Sequence, residues 1–133
     1  MAASVPQKLQ DLFQFDRPIV ATLVTLMPDG APQATPVWFL YEDDYIVVNT
    51  ARGRQKDRNM QRDAKVALTI IDPKDPYHWA EVRGKIADIV EATGDRDIDR
   101  LSLKYTGNAE YQFRKQSEVR VTYKIELQKV NGS

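Results

Sequence analysis

Six short runs of β-branched and apolar residues, each closed by turn chemistry, set the strongest limit on what this chain can fold into. Ile19 to Leu26 (IVATLVTL) has the unbroken apolar character of a strand buried on both faces. Pro28-Asp29-Gly30 is turn chemistry, and Gln33 to Leu40 returns as the second arm of a hairpin. Tyr45 to Asn49 follows a turn at Glu42-Asp43-Asp44, and Val66 to Ile71 is a fourth strand. Asp72-Pro73-Lys74-Asp75-Pro76 breaks the chain before a long fifth strand, Tyr77 to Val90, in which Gly84 marks a bulge or a point of close approach. Val119 to Val130 alternates as a sixth, with Val119, Val121, Tyr123, Ile125 and Leu127 against polar neighbours.

Short helices fit the connections. Ser4-Val5-Pro6 reads as a helix start, with Leu9, Leu12 and Phe13 on one side. Residues 53–63 read as a second helix, and Ile98, Leu101 and Tyr105 give a third. The pattern predicts the α+β class: a compact, mostly antiparallel six-stranded β-barrel with small helices, as a single domain over residues 1–133.

Composition then removes whole classes of chemistry. With no Cys there is no disulfide scaffold, thiolate nucleophile or Cys-based metal site. The one His, His78, excludes multi-His metal centres, so no metal is expected. No apolar run approaches the roughly 18 residues needed to cross a bilayer. MAASVPQKLQ lacks a basic segment followed by an apolar run, so a cytoplasmic protein with no membrane partner is expected.

Nineteen basic and nineteen acidic residues cancel, which argues against a nucleic-acid partner. The charges are not evenly mixed. Arg52 to Lys65 holds six bases and two acids, whereas Asp88 to Asp99 holds five acids and one base. The acidic block reads as a solvated helix face.

The basic block has two readings. GRQKDRNMQRD has one large apolar residue, Met60, so its helix has almost no face to bury. It is either an exposed connector or an anion site. Thr50-Ala51-Arg52-Gly53-Arg54-Gln55-Lys56 runs from a strand end through Gly into a helix start, where unpaired N–H groups and a positive dipole favour anions. Thr50 adds a hydroxyl, and Arg54 and Lys56 add charge. On the second strand, period two puts Gln33, Thr35 and Val37 on one face. Pro36 cannot donate to a ladder, so this stretch is an edge, a bulge or a gap. A gap beside Gln33, Thr35 and Asn49 is a place for a polar ring system to lie against backbone. Tyr77-His78-Trp79 reads either as a core cluster or as a stacking wall for a planar ligand. His78 has no Ser or Cys partner in view and is given no nucleophile-activating role.

These segments resemble a known family. Thr25 to Phe39 (TLMPDGAPQATPVWF) is similar to the opening of the split β-barrel flavin and deazaflavin oxidoreductases, the relatives of pyridoxamine 5′-phosphate oxidase. Asn49 to Asn59 (NTARGRQKDRN) is similar to the phosphate-binding segment of the branch that uses coenzyme F420. Asp72-Pro73, Pro76-Tyr77, Glu81-Val82-Arg83-Gly84 and Lys104-Tyr105-Thr106-Gly107 follow in the order and approximate spacing of that branch. The resemblance implies a split barrel, a homodimer with cofactor sites at the interface, and a small-molecule substrate. It implies that Thr50, Arg54 and Lys56 hold the phosphate, within a binding segment that includes Ala51 and Asn59. It implies that Gln33, Thr35, Pro36, Val37 and Asn49 line the ring and ribityl region. Tyr77, His78 and Trp79 would approach the ring or substrate, from the same or the other subunit. The leading expectation is an oxidoreductase using reduced F420. The alternatives are an FMN-binding oxidoreductase of the same fold, a non-catalytic flavin or deazaflavin carrier, and a small barrel binding single-stranded nucleic acid.

Overall fold

The computed structural model describes residues 2–133. A 3-10 helix at Gln7–Phe13 precedes β1 (Ala21–Leu26), β2 (Pro32–Val37), β3 (Leu40–Glu42) and β4 (Tyr45–Ala51). The chain continues through α1 (Gln55–Arg62), β5 (Lys65–Asp72), β6 (Asp75–Val90), α2 (Gly94–Thr106) and β7 (Arg120–Gly132). One sheet holds all seven strands in the order β2-β1-β5-β6-β7-β4-β3, and every pairing is antiparallel.

The seventh strand comes from a break within Gln33–Leu40, which was expected as one strand. The break has a topological reason. β2 pairs with β1 and β3 pairs with β4, so these neighbours in sequence are the two outer edges of the sheet. Only Trp38 and Phe39 separate them. Two residues cannot span an open seven-stranded sheet whose strands lie roughly 4.8 Å apart, so the sheet must curl until its edges meet. They meet without hydrogen bonding to each other, which makes this a split barrel. Pro36 lies on edge strand β2, where its missing N–H does not interrupt a central ladder.

The seam exposes backbone groups that a closed ladder would satisfy, and α2 supplies them. Tyr105 Oη accepts from the Phe39 N–H at 3.2 Å and donates to Ile19 O at 2.7 Å. Lys104 Nζ donates to Phe39 O at 2.9 Å. Phe39 is fully buried, so an unpaired amide there would cost about 1–3 kcal/mol. Burial lowers the Lys104 ammonium to about 8.

The barrel interior packs Leu23, Phe39, Ile46, Leu68, Ile70, Val82, Tyr123 and Ile125. Leu9, Leu12 and Phe13 of the 3-10 helix pack into the same core, as the sequence spacing predicts. Pro6, not Ser4, is the residue at the start of that helix, and no side chain caps it. A second cluster of Leu40, Val47, Ile98 and Leu101 lies outside the barrel, between α2 and the β3–β4 hairpin. That hairpin turns on Asp43 and Asp44, both at positive φ, the two-residue geometry that matches strand twist. Ladder shifts at Arg83/Gly84 and Ile86/Asp88 break the β6–β7 register, the first at the expected Gly84 bulge. No helix among the described residues is long and apolar enough to cross a membrane.

Candidate functional site

A cavity of about 320 Å³ opens beside the seam. Val20, Pro36, Val37, Trp38, Ile98, Leu101 and Tyr111 form its apolar and aromatic walls, and Asn49, Arg54, Lys56 and Arg120 its polar end. The site is therefore built from edge strand β2 and Trp38 at the seam, Asn49 of β4, the start of α1, the face of α2 with Tyr111 beyond it, and the first residue of β7. Trp38 stacks on Tyr105 at 5.2 Å between ring centroids, 8° from parallel, and Tyr111 meets Trp38 edge-on at 6.3 Å. These contacts fix the aromatic wall.

The polar end follows from how β4, α1 and β7 converge. Gly53 takes φ +93°, a backbone state that L residues rarely adopt, and turns the chain from β4 into α1. Arg54 then sits at the helix start in extended conformation, with no side-chain cap on the helix. Asp57, almost fully buried, folds back to accept from the Gly53 N–H at 2.9 Å, from Arg52 at 3.1 Å and from the Tyr123 hydroxyl at 2.5 Å. Burial pushes its carboxyl up, but these donors outweigh that and hold it below the usual carboxylate range. The helix has little apolar surface, as its composition predicts, yet it is not an exposed connector. It buries a polar face through Asp57 and Asn59 alongside Met60.

Three cations meet at the cavity. Arg120 is 6% exposed, lies over the Tyr111 ring and donates to Asn49 and Glu118. Burial lowers the Lys56 ammonium from its ordinary value, and the nearby charges of Arg54 and Arg120 add to the effect. Burial likewise lowers Arg120. Glu118 is the carboxylate paired with Arg54 and Arg120, and among the described residues none pairs with Lys56. Positive charge exceeds negative, which suits a phosphate-bearing ligand.

Of the residues expected at the site, Pro36, Val37, Asn49, Arg54 and Lys56 line this one cavity. Thr50 does not join them. β4 continues through Ala51 instead of ending at Asn49, so alternation turns Thr50 toward the barrel interior beside Val48. Its buried hydroxyl has no partner among the described residues. Ala51 is buried on the Asn49 side. Asn59 is fully buried beneath β1 and β2, donating to Thr25 Oγ1 at 3.1 Å and Gln33 Oε1 at 3.3 Å. Gln33 and Thr35 lie half-buried on β2 outside the cavity wall.

Tyr77, His78 and Trp79 start β6, away from the cavity lining of their own chain. They form neither a core cluster nor, within one chain, a wall. Tyr77 is 82% exposed and Trp79 36%, whereas His78 is held by Asp11 at 3.0 Å and Ser133 O at 2.8 Å. Asp11, Asp72 and His78 lie close together, and Arg17 pairs with both carboxylates.

The acidic block also departs from expectation. Asp97 is nearly inaccessible and accepts from Thr122 Oγ1 at 2.7 Å, Arg100 at 3.0 Å and Arg96 at 3.1 Å. Glu91 pairs with Arg52, and Asp95 and Asp99 pair with Arg114. This docking of α2 onto β7 buries Arg120 and Thr122, which alternation alone places on the solvent side. Arg120, Trp38, Tyr111, Ile98, Leu101 and Val20 were therefore missed. The one available signal was Arg120 interrupting the apolar start of β7, beside Val119 and Val121.

The family model described as Pyridoxamine 5′-phosphate oxidase matches residues 5–133. No curated protein matches the chain. A solved structure named F420 Reductase is 29% identical, with a TM-score of 0.84 over 96% of this chain and 98% of the other. A conserved hypothetical protein of Mycobacterium tuberculosis is 23% identical, with a TM-score of 0.72 over 97% of this chain and 84% of its own. HupZ of Group A Streptococcus is 16% identical, with a TM-score of 0.67 over 96% and 92% respectively. The latter two share the fold.

Proposed function

Because this chain belongs to the pyridoxamine 5′-phosphate oxidase family, we propose that it is an oxidoreductase using reduced coenzyme F420 to pass a hydride to a small organic acceptor. The observation that carries the reading is the convergence of Arg54, Lys56 and Arg120 at one end of a cavity whose other walls are apolar and aromatic. A cofactor with a planar ring and a phosphate fits that division. The 29% identical F420 Reductase supports the choice of coenzyme.

The bound cofactor supplies the hydride chemistry. The chain supplies binding and orientation. Arg54, Lys56 and Arg120 hold the phosphate, while Val37, Trp38, Ile98 and Leu101 exclude water around the ring. Arg58 and Arg62 share a face of α1 and have no carboxylate partner among the described residues. They form the stripe that a polyanionic cofactor tail would follow. FMN is the second reading, favoured by Arg52, whose charge is already taken by Asp57 and Glu91. Titration with F420 and FMN at two salt concentrations separates them. Tighter F420 binding, eroded by salt and by neutralising Arg58 and Arg62, is expected. Equal or tighter FMN binding at low salt moves the assignment to FMN.

The active form is proposed to be a homodimer with cavities at the interface. Ile71 and Trp79 pair on the outer sheet face, with exposed Tyr77 two residues beyond. Exposed Val20 also lines the cavity, so a second copy on this face would cover an apolar surface and the cavity edge together. Light scattering that reports a monomer at micromolar concentration would overturn this.

A further inference from the structure

Glu118 stands between two of the three cations of the cavity. One of its oxygens accepts from Arg54 at 2.9 Å and the other from Arg120 at 3.2 Å. The guanidiniums come from different elements, the start of α1 and the first residue of β7. One carboxylate thus makes the bridging contact that a ligand phosphate needs from the same pair. Among the described residues no carboxylate pairs with Lys56, so an arriving anion has a first foothold. The connection carrying Glu118 runs from α2 to β7 without regular structure. It is tied back to α2 by Arg114 with Asp95 and Asp99, and by the Tyr111 N–H to Asp99 at 2.8 Å. The Glu118 N–H closes a turn onto Lys115 O at 3.1 Å.

We propose that Glu118 is a displaceable internal anion, holding Arg54 and Arg120 together at the polar end of the cavity until a ligand phosphate takes at least one of them from it. The proposal rests on the phosphate reading of the cavity. Two guanidiniums at one site repel each other, and the shared carboxylate offsets that repulsion in the absence of a ligand. The same contact raises the threshold for binding. A ligand carboxylate exchanges like for like and gains little. A phosphate has more acceptor oxygens and can engage Lys56 together with a released guanidinium. Burial pushes the Glu118 carboxyl up, but Arg120 and Arg54 hold it below its ordinary range, so it is the ionised form that competes at neutral pH.

The test uses inorganic phosphate titrated into the full chain, followed by the amide shifts of Arg54 and Lys56. Glu118→Gln keeps the size and an acceptor oxygen but removes the charge, and its Kd is expected to fall about tenfold against wild type. Saturating phosphate is also expected to speed hydrogen exchange at residues 115–118 in the wild type, because the latch is released; a purely structural Glu118 would show no such change. An unchanged or weaker phosphate Kd in Glu118→Gln, with its melting temperature retained, overturns the proposal. So does unaltered exchange. Lys56→Ala tests the cavity separately, because Lys56 does not touch Glu118. Phosphate binding equal to wild type in Lys56→Ala, or no binding to any form, defeats the phosphate reading itself.

Discussion

Arg120 donates its Nε–H to Asn49 Oδ1 at 2.9 Å, diagonally across the β4–β7 ladder in which Asn49 faces Thr122 and Arg120 faces Ala51. The Asn49 amide simultaneously donates to Gly94 O at 2.8 Å, the first residue of α2. One side chain therefore joins a helix start to a cation of the cavity. Asn49→Ala should leave buried polar groups of Arg120 and Gly94 short of a partner, at a cost of about 1–3 kcal/mol. Denaturant unfolding should show that loss, and phosphate binding should weaken several-fold because Arg120 is no longer aimed. Wild-type phosphate affinity in this variant would show that Asn49 does not position Arg120.

Gly94→Ala should strike the same contact from the helix side. A Cβ there would lie 2.0 Å from Arg120 O and 2.3 Å from Arg120 C, both backbone atoms that cannot swing away. α2 must lift from β7, at a cost of about 1–3 kcal/mol for overpacking. Weaker phosphate binding should accompany a lower melting temperature. A variant as stable as wild type would mean that α2 is not seated on Arg120.

Lys104→Met should change how stability depends on pH. Burial lowers Lys104 to about 8 from 10.5, so between these values the unfolded chain binds more protons than the folded one. Wild-type stability therefore rises across that window, and the penalty is fully present below it. The wild-type-minus-variant difference should increase from pH 8 to 10.5, by at most about 3 kcal/mol. Unfolding curves at closely spaced pH values measure it. A flat difference would contradict the burial of a charged ammonium at the seam.

His78→Gln should act in the opposite sense, at the other end of the titration. The Ser133 backbone oxygen, then Asp11, raise His78 above its ordinary 6.5. The stabilisation is complete below the unfolded value and fades as pH rises through the folded one. Wild type should exceed the variant in melting temperature at pH 5.5, and the gap should narrow toward pH 8.5. A gap that stays constant with pH would mean that the Asp11 and Ser133 contacts do not favour the protonated ring.

The legible parts of this protein were those fixed within a few residues of chain. Alternating apolar runs, the Asp43-Asp44 turn and the Gly84 bulge are local events, and each leaves a local pattern. The position of Arg54 and Lys56 at the start of a helix that follows a positive-φ Gly was legible for the same reason. Where the side chains of Asn59 and Thr50 lie was not legible in the same way, because it depends on strand pairing. Asn59 bonds across to β1 and β2, and Thr50 follows a strand two residues longer than its apolar run.

The sequence by itself determined which segments are strands, which faces are apolar and where basic residues gather. Periodicity and turn chemistry act over a handful of residues, so composition and order suffice to state them. Only the tertiary structure decided that β2 and β3 are opposite edges brought together through Trp38 and Phe39. It also decided that α2 bridges that seam with Lys104 and Tyr105, and that Arg120 turns from an apparently solvated residue into a buried wall of the cavity. The physical reason is pairing at long separation. A backbone group at a seam, or a cation beneath a helix, is satisfied by a partner dozens of residues away, and no short window of sequence contains both.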